Sequence, residues 1–245
     1  MVLEVFVVAL LTDIATGLGV VPVAVAPRES ARWPGITAAV AGGMMLSASI
    51  FALADKALRL GQVVDVVAGM LAGALFFAVS AHLVAARRWR VLNWTEADSR
   101  QPIVVIATMF VHSIPEGLAI GVGYATGDIR FGLLLAVAIA VHNIPEGTAV
   151  ALPLRARGAS LAACFWYAVL TSVPQPLVAV PAFLLISLAQ PLVAAALGFA
   201  GGAMVFLVVA ELLPDSLAQC SRLEAAWGVT IGLVAMLGFT AALGL

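Results

Sequence analysis

The residues best suited to chemistry form a repeated block in the middle of the chain. His112–Gly117 reads His-Ser-Ile-Pro-Glu-Gly, and His142–Gly147, thirty residues later, reads His-Asn-Ile-Pro-Glu-Gly. In each copy the His and the Glu are four residues apart, so on a helix they lie on one face, one turn apart. Imidazole nitrogens and carboxylate oxygens bind Zn²⁺ at about 2.0–2.2 Å. The repeat therefore predicts a metal site of His112, Glu116, His142 and Glu146.

The composition places this block in a membrane protein. The 245 residues are 63% hydrophobic and 10% charged, with a mean hydropathy of +1.13, whereas a soluble domain carries about 25% charged residues. The net charge of −1 provides no basic surface for nucleic acid. Cys164 and Cys220 lie far apart in apolar stretches, which indicates neither a disulfide framework nor a thiolate metal site. The first residues lack a basic n-region, so we expect no cleaved signal peptide.

Eight apolar runs approach or exceed the roughly 20 residues that cross a bilayer as a helix. We therefore predict an all-α polytopic membrane protein, with one transmembrane domain over residues 1–245 and no bound cofactor. The two copies of the block fall near the middle of the fourth and fifth helices. The predicted helices cover about 2–25, 35–55, 63–86, 102–125, 131–154, 159–186, 191–213 and 224–244.

Features of helices 4 and 5 favour their convergence. A short turn around Gly127-Asp128 predicts that the two helices pack antiparallel. Pro115 and Pro145 each leave a carbonyl without its helical partner, and in lipid that carbonyl needs a neighbour, water or an ion. Gly117 and Gly147 allow close approach. Without a thiolate ligand, metal affinity stays moderate and ligand exchange feasible, which suits a carrier.

The loop charges predict the orientation. If the N-terminus lies outside, nine arginines fall in cytoplasmic loops, and Lys56, Arg59 and Arg130 fall in external loops. By the positive-inside rule both termini then lie outside. The nine are Arg28, Arg32, Arg87, Arg88, Arg90, Arg100, Arg155, Arg157 and Arg222.

Five further residues are weaker candidates for the ion path. Glu211, at the cytoplasmic end of helix 7, fits an ion-release site or an interfacial acid. Asp13 fits a path residue or a locally hydrogen-bonded acid, and His82 fits an interfacial residue or a ligand. Gln175, between two prolines of helix 6, lines the path or satisfies freed backbone groups. Met45 is kept as a ligand candidate, although packing is the default role of methionine.

Alternatives to a metal carrier remain open at this point. A structural His–Glu pair or a metal-free proton relay also explains ionisable residues at mid-membrane depth. A proton-coupled solute carrier needs a larger polar and aromatic pocket, yet helices 4 and 5 hold only Tyr124, Phe110 and Phe131 as aromatics. An intramembrane metalloenzyme needs an open water position and a general base beyond the ligands.

The chain resembles the ZIP family of divalent-metal transporters, in particular its bacterial branch. The resemblance rests on the two His-x-x-Pro-Glu-Gly motifs, on Thr16-Gly-Leu-Gly19 followed by Pro22, on Gly42-Gly-Met-Met-Leu46, and on Glu211-Leu-Leu-Pro214. It implies transport of Zn²⁺, or of Fe²⁺, Mn²⁺, Co²⁺ or Cd²⁺, into the cytoplasm across a bacterial inner membrane. It also implies helices 1–3 and 6–8 as inverted repeats around helices 4 and 5, a unit of helices 1, 4, 5 and 6 sliding against a scaffold, and a homodimer.

The resemblance also implies a second metal position, and there this chain departs from the family pattern. The matching residues are Ser113, Asn143, Glu146 and Gln175, where relatives carry Asn for the serine and a carboxylate for the glutamine. Because a neutral amide is a poorer divalent-cation ligand than a carboxylate, we expect one well-occupied core metal. The loop from Arg87 to Gln101 contains no His, so we expect no loop-based metal sensing there.

Overall fold

The computed structural model describes the backbone of residues 1–25, 32–86 and 96–244, and their side chains except those of 84–86 and 96–108. The predicted loop residues Arg28 and Glu29, and the stretch 87–95, lie outside these ranges. The described chain forms eight helical rods, which we number α1 to α8. Their bounds are Val2–Val25, Trp33–Leu60, Val63–Ala86, Glu96–Ala125, Ile129–Ala156, Leu161–Leu188, Gln190–Gln219 and Arg222–Leu243.

Seven of these rods are long and apolar enough to cross a membrane. They are α1, α2, α3, α5, α6, α7 and α8. The described side chains of α4 begin only at Met109, and α4 is not among the seven. The described residues are therefore those of an all-helical polytopic membrane protein, and several exposed apolar faces, on α3 and α8 above all, are suited to lipid.

Four rods depart from a regular α-helix. Rod α1 is interrupted at Leu18 and Gly19, and α6 is interrupted at Val173, just before Pro174. Proline removes a backbone donor and clashes with the preceding turn, which accounts for the break in α6. Rods α2 and α7 contain π-helical turns over Ala48–Ala54 and Val208–Leu212. The predicted single helices thus include local irregularities that the hydropathy pattern does not resolve.

The rods pack in matched pairs, with α2 on α8, α3 on α7, α1 on α5 and α4 on α6. Glycines make the close contacts. A Cβ on Gly43 or Gly232 would overlap backbone across the α2–α8 seam, and one on Gly73 or Gly202 would do so across the α3–α7 seam. Small residues at seams allow this backbone approach in lipid, where no hydrophobic effect drives helices together.

Alternate loops lie at opposite ends of the bundle. At one end, Lys56 Nζ of α2 donates to Asp128 Oδ2 in the α4–α5 loop at 2.9 Å, and Gln190 Nε2 of α7 donates to the carbonyl of Ala125 at 2.9 Å. At the other end, Arg32, which directly precedes α2, and Glu224 of α8 pair at 3.4 Å. The helices therefore run up and down alternately, as the loop pattern predicts.

Candidate metal-binding site

The hairpin of α4 and α5 brings the two motif copies together. Gly127 turns the chain with a φ of 81°, a conformation that glycine adopts readily. Asp128 Oδ1 then accepts the backbone N–H of Phe131 at 3.0 Å and caps α5. This short connection makes the two helices antiparallel neighbours, as the sequence predicts.

Three of the four predicted ligands form one buried group. One ligand atom each from Glu116, His142 and Glu146 lies within 4.8 Å of the other two. Glu116 Oε1 is 2.9 Å from His142 Nε2. Both of these side chains are fully buried, and Glu146 is 5% exposed. The group crosses the hairpin, so the Glu of one motif contacts the His of the other.

The fourth predicted ligand, His112, extends this group toward α7. Its Nδ1 is 3.6 Å from Glu146 Oε1, and its Nε2 is 3.0 Å from Glu211 Oε2. The π-helical turn of α7 carries Glu211. Glu211 therefore lies directly beside His112, where the sequence alone suggested a separate position near the helix end.

The group is rich in carboxylates and poor in cations. Glu116 and Glu146 pair with imidazoles, and Glu211 pairs with an imidazole as well. Carboxylates at this depth are costly unless protons or a cation compensate them. His142 Nδ1 is buried and has no hydrogen-bond partner within the described residues. Two imidazoles and two carboxylates form a donor set that suits Zn²⁺ and similar divalent ions.

Gln175 contacts the group through Glu116. Its Nε2 donates to Glu116 Oε2, and its Oε1 lies 2.6 Å from the hydroxyl of Thr12 on α1. Gln175 is fully buried just after the break in α6. The amide therefore contacts the carboxylate oxygen that faces away from His142, and it connects α1, α4 and α6.

Ser113 and Asn143, which follow the two histidines, bind backbone carbonyls of the broken helices. Ser113 Oγ donates to the carbonyl of Thr171 on α6 at 3.0 Å, and Asn143 Nδ2 donates to the carbonyl of Thr12 on α1 at 3.0 Å. The Oδ1 atom of Asn143 is buried without a partner in the described residues. In this arrangement Ser113 and Asn143 connect the hairpin to its neighbouring helices.

The remaining candidates do not join the group of ligand atoms. Asp13 is buried on α1, and its Oδ1 has no partner in the part of the chain that is described. His82 is exposed on α3. Met45 is fully buried in the hydrophobic core on α2. Each of these three roles stays a prediction.

Two residues beside the group were not predicted from the sequence. Thr12 supports Gln175, and Met109 Sδ lies 3.2 Å from His112 Nδ1. Thr12 belongs to no motif. Met109 lies one turn before His112 on the same helix face, a spacing that could have indicated it.

This geometry defines the chain as an integral membrane protein with a buried set of metal-type ligands. A family model described as the ZIP zinc transporter matches residues 95–240. The chain belongs to the ZIP family, whose members are transporters rather than enzymes, and this membership supports divalent-metal transport.

Individual relatives agree with this assignment. The zinc transporter GufA of Myxococcus xanthus is 35% identical over 251 residues, which cover 97% of this chain and 98% of GufA. An Arabidopsis thaliana protein whose name assigns it provisionally to zinc transport is 40% identical over 225 residues, and the match spans 91% of this chain but 36% of that protein. Human zinc transporter ZIP11 is 38% identical over 151 residues, which cover 59% of this chain and 44% of ZIP11.

Proposed function

We propose that this chain carries Zn²⁺ into the cytoplasm through a site formed by His112, Glu116, His142 and Glu146. The observation that carries the proposal is the convergence of Glu116, His142 and Glu146 within 4.8 Å at the buried centre of the α4–α5 hairpin. The ion is the transported substrate. The same nitrogen and oxygen donors accept Fe²⁺, Mn²⁺, Co²⁺ and Cd²⁺, which we include as further substrates.

The site suits release as well as binding. It contains no thiolate, so the bound ion exchanges more readily than at a structural cysteine site. His112 Nε2 faces Glu211, an arrangement in which an outer carboxylate orients a metal-binding imidazole. Glu211 therefore serves first as the partner of His112. It is also the acidic group of α7 that lies beside the site, which is compatible with a release path.

We further propose that α4 also crosses the membrane and that α1–α3 and α6–α8 are inverted repeats around α4 and α5. The matched pairing supports this, because exchanging the repeats converts the α2–α8 contact into α7–α3, and α1–α5 into α6–α4. The breaks in α1 and α6 and the π-helical turns in α2 and α7 fall on corresponding rods. Alternating access by an elevator-type motion of α1, α4, α5 and α6 belongs to the same proposal.

The remaining features of the proposal concern the cell and the assembly. An orientation with both termini outside agrees with the excess of arginine in the loops assigned to the cytoplasm. The resemblance to the bacterial branch of the family supports a bacterial inner membrane. The family resemblance supports a homodimer, which a mass measurement in detergent tests. Because members of the ZIP family are transporters rather than enzymes, the alternative of an intramembrane metalloenzyme is wrong. The zinc transporters among the relatives also disfavour an organic-solute carrier.

Metal uptake into reconstituted vesicles tests the proposed site. Glu146→Gln keeps the size of the side chain but removes the charge, and we expect uptake of Zn²⁺ to fall at least about 100-fold, because loss of even an outer-shell partner of a metal costs about 10–100-fold. Asp65→Asn is the matched control, since Asp65 is an exposed acid at the start of α3. Equal uptake by the parent and by Glu146→Gln would reject the site.

A further inference from the structure

Met109 is a soft donor next to the proposed ion site. It lies one turn before His112 on α4 and is 9% exposed. Its Sδ is 3.2 Å from His112 Nδ1, and that nitrogen is also 3.6 Å from Glu146 Oε1. A sulfur, a nitrogen and an oxygen from two helices therefore surround one small region.

These three atoms are all acceptors when the imidazole is neutral. In the neutral tautomer whose Nε2–H donates to Glu211 Oε2, 3.0 Å away, His112 carries its proton on the side away from Met109 and Glu146. His112 Nδ1 is then a lone-pair donor, as are Glu146 Oε1 and the thioether of Met109. Lone pairs that converge without a hydrogen between them are stabilised by a cation.

The spacing agrees with a shared ion. Bonds of about 2.0–2.2 Å at tetrahedral angles place a nitrogen and an oxygen ligand roughly 3.3–3.6 Å apart, and His112 Nδ1 and Glu146 Oε1 are 3.6 Å apart. The Met109 side chain has three rotatable bonds and adapts its sulfur position easily. An ion between these two ligands is thus within reach of Met109 Sδ.

We infer that Met109 supplies a thioether ligand to the transported ion and makes the site prefer softer divalent ions. The inference rests on the proposed function. Thioether sulfur favours borderline and soft metals, whereas Mn²⁺ is better served by oxygen ligands. Met109 therefore raises transport of Zn²⁺ and Cd²⁺ relative to Mn²⁺.

Competitive uptake of Cd²⁺ and Mn²⁺ by reconstituted protein tests the inference. Met109→Leu keeps the apolar volume and removes the sulfur. We expect its Cd²⁺-to-Mn²⁺ uptake ratio to fall about tenfold, the low end of the effect expected when a weak metal contact is lost. Met204→Leu is the control, because Met204 is a fully buried core methionine on α7.

A spectroscopic measurement separates a ligand from a packing residue. X-ray absorption of Cd²⁺ bound to the purified parent should contain a sulfur scatterer, which Met109→Leu loses and Met204→Leu keeps. An unchanged uptake ratio in Met109→Leu, or a parent spectrum without sulfur, overturns the inference. If the parent transports metal and Glu146→Gln does not, the proposed function stands even when this inference fails.

Discussion

Gly147 is the position at which a single methyl group should disturb the site most. A Cβ on Gly147 would overlap the carbonyl oxygen of Thr16 and approach Thr16 Cγ2 to 3.2 Å. The principal contact is with backbone, so no side-chain rotation relieves it. In Gly147→Ala, α5 and α1 must separate by roughly 1.5 Å to restore an ordinary van der Waals contact.

The loss of stability in Gly147→Ala can be worked out from the hydrogen bonds that connect α5 to α1. Asn143 Nδ2 donates to the carbonyl of Thr12 at 3.0 Å, and Thr148 Oγ1 donates to the carbonyl of Gly19 at 3.0 Å. A separation of roughly 1.5 Å takes both beyond hydrogen-bond length. Two lost bonds at about 0.5–1.5 kcal/mol each and overpacking at about 1–3 kcal/mol give a destabilisation of roughly 2–6 kcal/mol.

In Gly147→Ala the rate of Zn²⁺ transport should decrease by more than the loss of folded protein alone would cause. Glu146 directly precedes Gly147, and a misplacement of about 1 Å at a reacting group can cost about 100-fold in rate. We expect vesicle uptake of Zn²⁺ by Gly147→Ala to fall by about that factor, with a lower thermal unfolding temperature in detergent.

Gly238→Ala on α8 is the control for Gly147→Ala. A Cβ there meets no atom within 4 Å, and alanine in a helix is favoured over glycine by about 1 kcal/mol. We expect it to keep parental uptake and to unfold no earlier. Parental uptake and stability in Gly147→Ala would refute the argument from the close α1–α5 contact.

Two further predictions concern the second metal position and the loop between α4 and α5. Gln175→Glu should raise the number of tightly bound core metal ions from one to two, measured by elemental analysis; a parent that already holds two contradicts this. Asp128→Asn keeps the helix cap but loses the ion pair with Lys56, and it should lower the free energy of unfolding by about 0.2–1 kcal/mol at neutral pH. The control is Asp55→Asn, whose ion pair lies within α2 and whose effect on the free energy of unfolding should be smaller. The first N–H groups of α5 and the Lys56 ammonium hold the pKa of Asp128 below its usual range. The stabilisation by Asp128 is therefore complete above the unfolded pKa of about 3.9 and is lost as pH falls through the folded pKa. A stability difference between parent and Asp128→Asn that persists in acid contradicts the assignment.

Much of the candidate site could be predicted because its residues repeat at helical spacing. His112 and Glu116, like His142 and Glu146, are one turn apart, and the short connection at Gly127 leaves an antiparallel hairpin as the simplest arrangement. The ends of the apolar runs likewise lie within a few residues of most helix ends in the described part of the chain. The larger differences, such as α7 extending to Gln219, occur where polar residues continue a helix beyond the apolar run.

The contacts from other helices could not be predicted. Thr12, Gln175 and Glu211 are separated from the motifs by tens of residues, and their relation to the hairpin depends on the break in α6 and the π-helical turn in α7. Hydropathy averages over such local irregularities, although each rotates the residues that follow. The role of Gln175 as a hydrogen-bond donor to Glu116 therefore emerges only from the packed structure.

The amino-acid order by itself determined the membrane class and the four residues of the repeated motif, because these depend on composition and on periodicity within one segment. Only the tertiary structure decided which carboxylate faces which imidazole, and that Met109 and Glu211 lie on either side of His112. Those relations depend on how helices rotate and approach one another, which backbone contacts at glycines such as Gly117 and Gly147 restrict. Packing between helices, which no single segment encodes, is the physical reason for the difference.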